Sequence, residues 1–551
     1  MVFSNNLLAG AGGQPTGYEI DQSIRFNDDD AAYLYRDVAS APTDGKKFTY
    51  SVWIKRGAIT GGTNTALLSG GSGTSAGRCD FMFTAGAATG DGSNNDSLKF
   101  DIYSGGFDQT RSIAKLRDPS SWYHIVFVFD AANATANDTM IMYLNGERLE
   151  LDSTSGVPNV AALINANGQR TRIGADASNT PVEFDGYMAE INMVDGQALA
   201  PTNFGETNSN TGQWVPIKYS GSYGTNGFYI TGADSSDLGE DFSGNNNDFT
   251  SSGLTSADSV SDSPSDNFAT WNPIIPLANG TFSDGNLVFT QSGGSISQHA
   301  KSTMSFTFGE KKVCEMQTVS GSSITLGICD EDFIANANGF SGDSRGYFDT
   351  NGNKVDKDGN SSSYGASFGT SNVIRIEVDL SSNPGTIEFF KDGVSQGDAF
   401  TDITSTKTWF FWCRCKADAV KANFGQLGFA GTPTSGFTAL NASNIPDPTI
   451  SDPSVYFQTT LYTGNGSTQS ISQSGENSTF QPDFVWIKGR GQAYDHALYD
   501  AVRGATKEIK SNATDAEATI SNGVTAFESD GFALGNRIGV NANTENFVAW
   551  Q

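Results

Sequence analysis

Basic residues are scarce: 33 lysines and arginines face 61 aspartates and glutamates in 551 residues, a formal net charge of −28. A field of that sign repels phosphate backbones and anionic lipid surfaces, so nucleic acid is not an expected partner. Long apolar runs are missing too. No stretch approaches the roughly 20 apolar residues of a membrane span, and no membrane insertion is expected. Residues 1–11 lack the basic start and apolar run of a signal peptide, which predicts a product made in the cytoplasm. Cysteine is sparse and odd in number. Cys79, Cys314, Cys329, Cys413 and Cys415 cannot form a complete disulfide framework, and buried thiols in a reducing compartment are the expectation. Cys413 and Cys415 stand two apart in an alternating segment, where same-face neighbours of one strand make poor disulfide partners.

Long helical periodicity is nearly absent. In its place, runs rich in Val, Ile, Phe, Tyr and Thr recur between Gly, Asn, Asp and Ser clusters, and the 63 glycines supply a surplus of turns. Lys47 to Lys55, Trp122 to Asp130, Val373 to Leu380 and Thr386 to Lys391 alternate or nearly alternate. Asn145-Gly146 and Asp392-Gly393 follow such runs at hairpin distance. The chain reads as all-β, a tandem of β-sandwiches. Small polar residues over 251–267 and the prolines near 446–448 mark boundaries.

Four patterns come near catalytic or metal-binding chemistry. A glucanase on a lectin-like sandwich needs two carboxylates across one sugar bond, in the pattern Glu-x-Asp-x-x-Glu. Glu19-x-Asp21 and Glu183-x-Asp185 come nearest, but Ile24 and Met188 hold the third position. Gly73-Thr-Ser-Ala-Gly77 has nucleophile-elbow spacing without the strand-to-helix setting, so Ser75 reads as a loop serine. His124, His299 and His496 lie far apart, in three separate blocks, and read as packing or surface residues rather than metal ligands or a general base. Asp356-Lys-Asp-Gly-Asn360 has calcium-like donors, yet Lys354 and Gly365 occupy the first and last ligand positions of the loop; it reads as a solvated turn, and Asp28-Asp-Asp30 likewise. No catalytic or metal-ligating residue is therefore assigned, and calcium is not supported as a cofactor. Tyr103 and Phe107 could stack on a sugar, but core residues beside a turn are the favoured reading. No ligand-binding residue stands out.

Four resemblances sharpen this picture. Ser23 to Leu34, Phe48-Thr-Tyr-Ser-Val-Trp-Ile54, Trp122 to Asp130 with Tyr143-Leu-Asn-Gly146, and Arg172-Ile-Gly-Ala175 with Phe184 to Ile191 and Leu199-Ala-Pro201 resemble, in order and spacing, the concanavalin-A-like, laminin-G-type lectin fold. The resemblance implies a jelly-roll that binds glycans or cell surfaces through edge loops, with an inward aromatic such as Trp53 or Phe127 filling the space between sheets. Leu326-Gly-Ile-Cys329, Tyr364-Gly-Ala-Ser-Phe-Gly369, the hairpin from Val373 to Lys391, Asp392 to Gly397 and Val420 to Gln426 resemble a SPRY domain, a sandwich used mostly in protein recognition. Tyr462-Thr-Gly-Asn-Gly466, Phe480 to Lys488, Val502 to Thr506, Phe527 to Phe532 and Phe547-Val-Ala-Trp550 are similar to a small β module of tailed, especially marine, bacteriophage virion proteins. The segment with Asn226 to Ile230, Asp241 to Gly244 and Phe268 to Pro273 resembles the stretch that follows the lectin-like module in such proteins.

The division that results is 1–17, a virion-docking segment; 18–215, the lectin-like domain; 216–275, an extension or connector; 276–435, the SPRY-like sandwich; 436–454, a linker; and 455–551, the phage module. That family continues past its last tryptophan, so an end at Gln551 implies truncation or completion by another chain. The resemblances imply a non-enzymatic virion protein, a tail fibre or receptor-binding appendage that reads host surface glycan or protein alongside other virion proteins. A homo-oligomer is implied, with a trimer the expectation for fibres, although no heptads support it. The alternative is a head-surface fibre, decoration or assembly protein contacting other virion proteins; a polysaccharide depolymerase is the third reading.

Overall fold

Alternation decides the first sandwich. In Lys47–Arg56, residues Phe48, Tyr50, Val52 and Ile54 point one way into the core, while Thr49, Ser51, Trp53 and Lys55 point the other. In this computed structural model the chain is described over 17–551, apart from 58, 60–63, 72–76, 85–95, 104–106, 153–155, 179–181, 209–211, 275–279, 294–297, 337–338, 405, 447–449, 451–452 and 474–479. The described residues are nearly all strand and turn, arranged as antiparallel sheets.

Two sheets make the first sandwich. One runs in the order Glu147–Arg148, Met140–Leu144, Trp122–Asp130, Lys47–Arg56, Gly186–Asp195, Ser23–Phe26, Ser259–Val260, with Phe228–Ile230 also pairing Gly186–Asp195. The other runs Thr250–Ser252, Tyr33–Asp37, Arg170–Ile173, Thr65–Gly71, Arg78–Phe83, Ser97–Tyr103, Phe107–Lys115. Phe81, Phe100 and Phe127 meet between them, with Phe81 and Phe127 stacked at 4.6 Å. Phe127 thus fills the space between the sheets as expected. Trp53 does not: strand parity turns it to the outer face, where it stacks on His124 at 4.7 Å. Residues 216–275, expected as an extension or connector, add to the first sandwich: their short strands Phe228–Ile230, Thr250–Ser252 and Ser259–Val260 join both of its sheets.

The second sandwich pairs a seven-stranded sheet, in which Lys311–Ser320 lies between Ala419–Asn423 and Val373–Asp379, with a six-stranded sheet built around Trp409–Cys415 and Thr325–Asp330. Both expected hairpin turns form with left-handed backbone at each central residue, φ 48° and 83° at Asn145-Gly146 and 49° and 79° at Asp392-Gly393. All five cysteines are buried and none is in a disulfide, and Cys314, Cys413 and Cys415 join the second core.

The two sandwiches belong to one compact unit, made of the chain up to Glu206 and Trp214–Pro446. Their joint is ionic. The Lys55 ammonium, with no exposed surface, donates to Asp262 Oδ2 at 2.7 Å, Asn267 Oδ1 at 2.7 Å and Phe268 O at 2.6 Å. Trp122 Nε1 donates to Asp262 Oδ1 at 3.0 Å. Arg25 pairs with Asp258 at 2.8 Å and Asp284 at 3.1 Å, and Asp284 also takes Lys421 of the second sandwich at 2.7 Å. The other unit, Thr207–Gln213 with Asp447–Gln551, holds the C-terminal module, a six-stranded and a three-stranded sheet enclosing Val485, Ile487, Tyr499, Phe532, Phe547 and Ala549.

Candidate functional site

A sandwich has two outer faces, and here the chain covers one itself. Over the first sheet, Val126, Val128 and Val194 pack against Phe204, Tyr219, Tyr223 and Tyr229 of the following segment. Trp53, Trp122, Tyr187 and Ala189 pack with Ile20 and Val260. His124 lies in this layer. Trp214 Nε1 donates to its Nδ1 at 2.8 Å, which assigns the Nε2–H tautomer facing Ser51 Oγ at 2.9 Å. Burial drives its pKa down to about 3, so the ring is neutral and structural. Gly146 is required here, since a Cβ would meet the Trp214 ring at 2.5 Å.

The outer face of the second sheet keeps its polar residues. Register sets one row straight across it: Thr250, Tyr35, Arg172, Ser69, Asp80, Asp101 and Gln109. The neighbouring row carries Asp37, Arg170, Gly71 and Arg78. Inner positions of the same strands, such as Leu34, Leu68, Phe81 and Phe100, fill the core, so alternation alone puts this polar set outside.

Two parts of the face differ. At one end, Tyr33, Tyr35, Arg170 and Arg172 are half-buried and form a platform. The Arg170 guanidinium lies 4.4 Å over the Tyr35 ring and grips Asp37 with two bonds of 2.7 and 2.8 Å; Arg172 lies 6.0 Å over Tyr33. Arg172 NH1 donates to Asp176 O at 3.0 Å. Stacked rings with guanidinium donors suit the apolar face and hydroxyls of a sugar.

Towards the middle the row is buried, and like charges face each other. Asp80 stands opposite Asp101, an arrangement that costs energy unless cations offset it. Arg78 Nε reaches Asp80 at 3.0 Å, Arg78 NH1 reaches Asp176 at 3.2 Å, and Lys99 reaches Asp101 at 2.7 Å. The backbone beside them closes over the pair: Ala177 N–H donates to Asp80 Oδ1 at 3.3 Å and Ser69 Oγ to Ala175 O at 2.7 Å. Burial lifts Asp80 to about 6 and raises Asp101 as well. Asp101 Oδ1 is buried and has no hydrogen-bond donor among the described residues.

The residues weighed from sequence are scattered. Glu19 and Asp21 are exposed on the approach to Ser23–Phe26; Asp185 is buried and accepts Gly285 N–H at 3.2 Å. His299 packs edge-on to Phe333 at 5.4 Å, and burial lowers its pKa to about 4. His496 Nδ1 accepts from Trp486 Nε1 at 2.8 Å. Asp356 accepts the Asp358 and Asn360 N–H groups and closes a turn, while Asp28–Asp30 form a single 3-10 turn. Among the described residues no three His, Cys, Asp or Glu side chains converge as a metal site. Residues 2–16 and Ser75 lie outside the described residues, as do the Tyr103 and Phe107 side chains. Sequence reasoning missed Tyr33, Tyr35, Arg170 and Arg172. The one available signal was the Tyr-Leu-Tyr and Arg-Thr-Arg alternation, which marks a wet face without saying that the two strands are neighbours.

Comparison with known families matches residues 28–203 to the concanavalin A-like lectin/glucanases superfamily, 313–427 to the SPRY domain, and 452–551 to a domain of unknown function, DUF7483. No curated protein matches the chain. Among solved structures it is similar to the SPRY domain of human HERC1, at 16% identity over 25% of this chain and 87% of that one, TM-score 0.22. It is similar to the heptameric SAP-like pentraxin of Limulus polyphemus, at 14% over 33% and 78%, TM-score 0.23. A Ruminococcus gnavus sialidase CBM40 bound to α2,3-sialyllactose gives 13% identity over 33% and 93%, TM-score 0.23. The chain therefore carries a concanavalin-A-like domain and a SPRY domain in a single all-β polypeptide.

Proposed function

We propose that this chain is a non-enzymatic virion protein of a tailed bacteriophage, a tail fibre or related receptor-binding appendage, whose first sandwich recognises a glycan on the host surface. The observation that carries the glycan reading is the contrast between the two outer faces: one is sealed by the chain's own tyrosines and valines, the other presents the Tyr33, Tyr35, Arg170 and Arg172 platform. The phage assignment rests on the motifs of the C-terminal module. The binding role in place of catalysis rests on Ile24 and Met188 standing where a glucanase pattern needs its third carboxylate, and on the salt-bridged state of Asp80 and Asp101. Several copies on one particle would multiply weak single-site affinity.

The test is retention of the purified protein on intact candidate host cells, with and without enzymatic stripping of surface polysaccharide, beside Tyr35→Ala and Arg172→Ala variants. Binding that disappears on stripping and falls at least tenfold in both variants supports the reading. Retention that survives stripping, or release of oligosaccharide from the polysaccharide, overturns it. Absence of binding to every infectable host returns the protein to the head-surface or assembly role.

A further inference from the structure

In the C-terminal module the strand Thr459–Thr463 ends the six-stranded sheet. It pairs with Asn546–Trp550 on one side, and among the described residues no strand lies on the other. Backbone parity follows from one pair of bonds: Gln458 N–H donates to Gln551 O at 3.0 Å, and Gln551 N–H returns to Gln458 O at 2.8 Å. In an antiparallel ladder such mutual pairs recur at every second residue, so Thr460 and Tyr462 also address the inner neighbour. Thr459, Leu461 and Thr463 therefore direct their N–H and C=O groups away from that neighbour; Gln469 Nε2 donates to the Thr463 C=O at 3.3 Å, which leaves that oxygen one lone pair, and the other groups face the open edge. All three are exposed, Leu461 by 60%.

Natural sheet edges are usually blocked by Lys, Pro, a bulge or a covering loop. Thr-Thr-Leu-Tyr-Thr has no charge and no proline, and its pairing runs without a register shift. The outer face beside it is apolar: Leu461 is opposite Val548, Thr459 is opposite Trp550, and Trp550 packs on Trp486 with ring centroids 5.3 Å apart.

We propose that this edge is a self-association surface: two copies of the chain pair their Thr459–Thr463 strands antiparallel about a two-fold axis at Leu461. Three features select a second copy as the occupant. The strand is its own complement, since centring on Leu461 sets Leu461 against Leu461 and Thr459 against Thr463. Every open-edge donor then finds an acceptor on the other copy. Finally, the contact is free of charge in a molecule whose formal net charge of −28 makes copies repel at other surfaces. The outer apolar rows, with Val548 and Trp550 on each side, become continuous across the joint.

Sedimentation equilibrium of the full-length chain at physiological salt tests this. The wild type is expected to dimerise at micromolar concentration, alone or as one step of a larger assembly. Leu461→Pro keeps every inner hydrogen bond, because the Leu461 N–H faces outward, and edge strands accept proline; it should weaken association at least tenfold with an unchanged circular dichroism spectrum. Thr459→Lys with Thr463→Lys should abolish pairing by setting lysines opposite each other, while Thr459→Glu with Thr463→Lys should restore it. A wild type monomeric throughout, an oligomer indifferent to the paired lysines, or equal loss in both double variants would each overturn the proposal.

Discussion

Replacing Asp80 by asparagine should make the protein more stable at neutral pH. Asp80 is fully buried on the outer face of the first sandwich, and its pKa rises from 3.8 to about 6. Burial is the largest cause; Arg78 and the Ala177 N–H oppose it, and Asp176 and Asp101 add to it. The folded state thus holds the proton more tightly than the unfolded chain does. Its contribution is fully present below the unfolded pKa near 3.8 and is lost as pH rises through about 6. A rise of about two units at about 1.4 kcal/mol each amounts to ~3 kcal/mol of stability missing above pH 6. Asparagine keeps an oxygen for the Ala177 N–H, carries no charge to desolvate and removes the repulsion with Asp101. In urea unfolding of the full chain, the advantage of Asp80→Asn over wild type should shrink by about 3 kcal/mol between pH 7.5 and pH 4. An advantage that does not change with pH, or one that grows on acidification, would refute the reasoning.

Breaking the joint between the sandwiches should be expensive. Asp262→Ala strands the buried Lys55 ammonium and should cost about 3–5 kcal/mol, whereas Lys55→Met with Asp262→Leu should recover most of it, giving strong coupling in a double-mutant cycle read by urea denaturation; additive single effects would contradict this. Trp214→Phe leaves His124 Nδ1 without its donor and should cost about 1–3 kcal/mol, with the His124 ring nitrogens resolved by NMR reporting the Nε2–H tautomer in the wild type.

Much of the fold was legible because it rests on local chemistry. Period-two alternation in Lys47–Arg56 and Trp122–Asp130 announces strands whatever they pair with, and Asn145-Gly146 and Asp392-Gly393 adopt the left-handed pair their residue types favour. The short strands escaped. Phe228–Ile230, Thr250–Ser252 and Ser259–Val260 are too brief for alternation to register, and they are strands because a sheet edge or neighbour accepts them. Trp53 shows the other limit: an aromatic in a strand is placed by parity, and both faces of that strand proved to be covered.

By itself, the sequence determined an all-β chain, its hairpins, its buried thiols and its acidic field, since propensity, turn chemistry and charge are properties of residues and near neighbours. Which outer face stays open was decided by tertiary structure alone. Tyr35 and Arg172 meet across a ladder that joins residues far apart in the chain, and Asp80 faces Asp101 through a register no single strand contains. The sealing of the opposite face by the chain after the lectin-like motifs depends on where that segment lies in space, which no local pattern records.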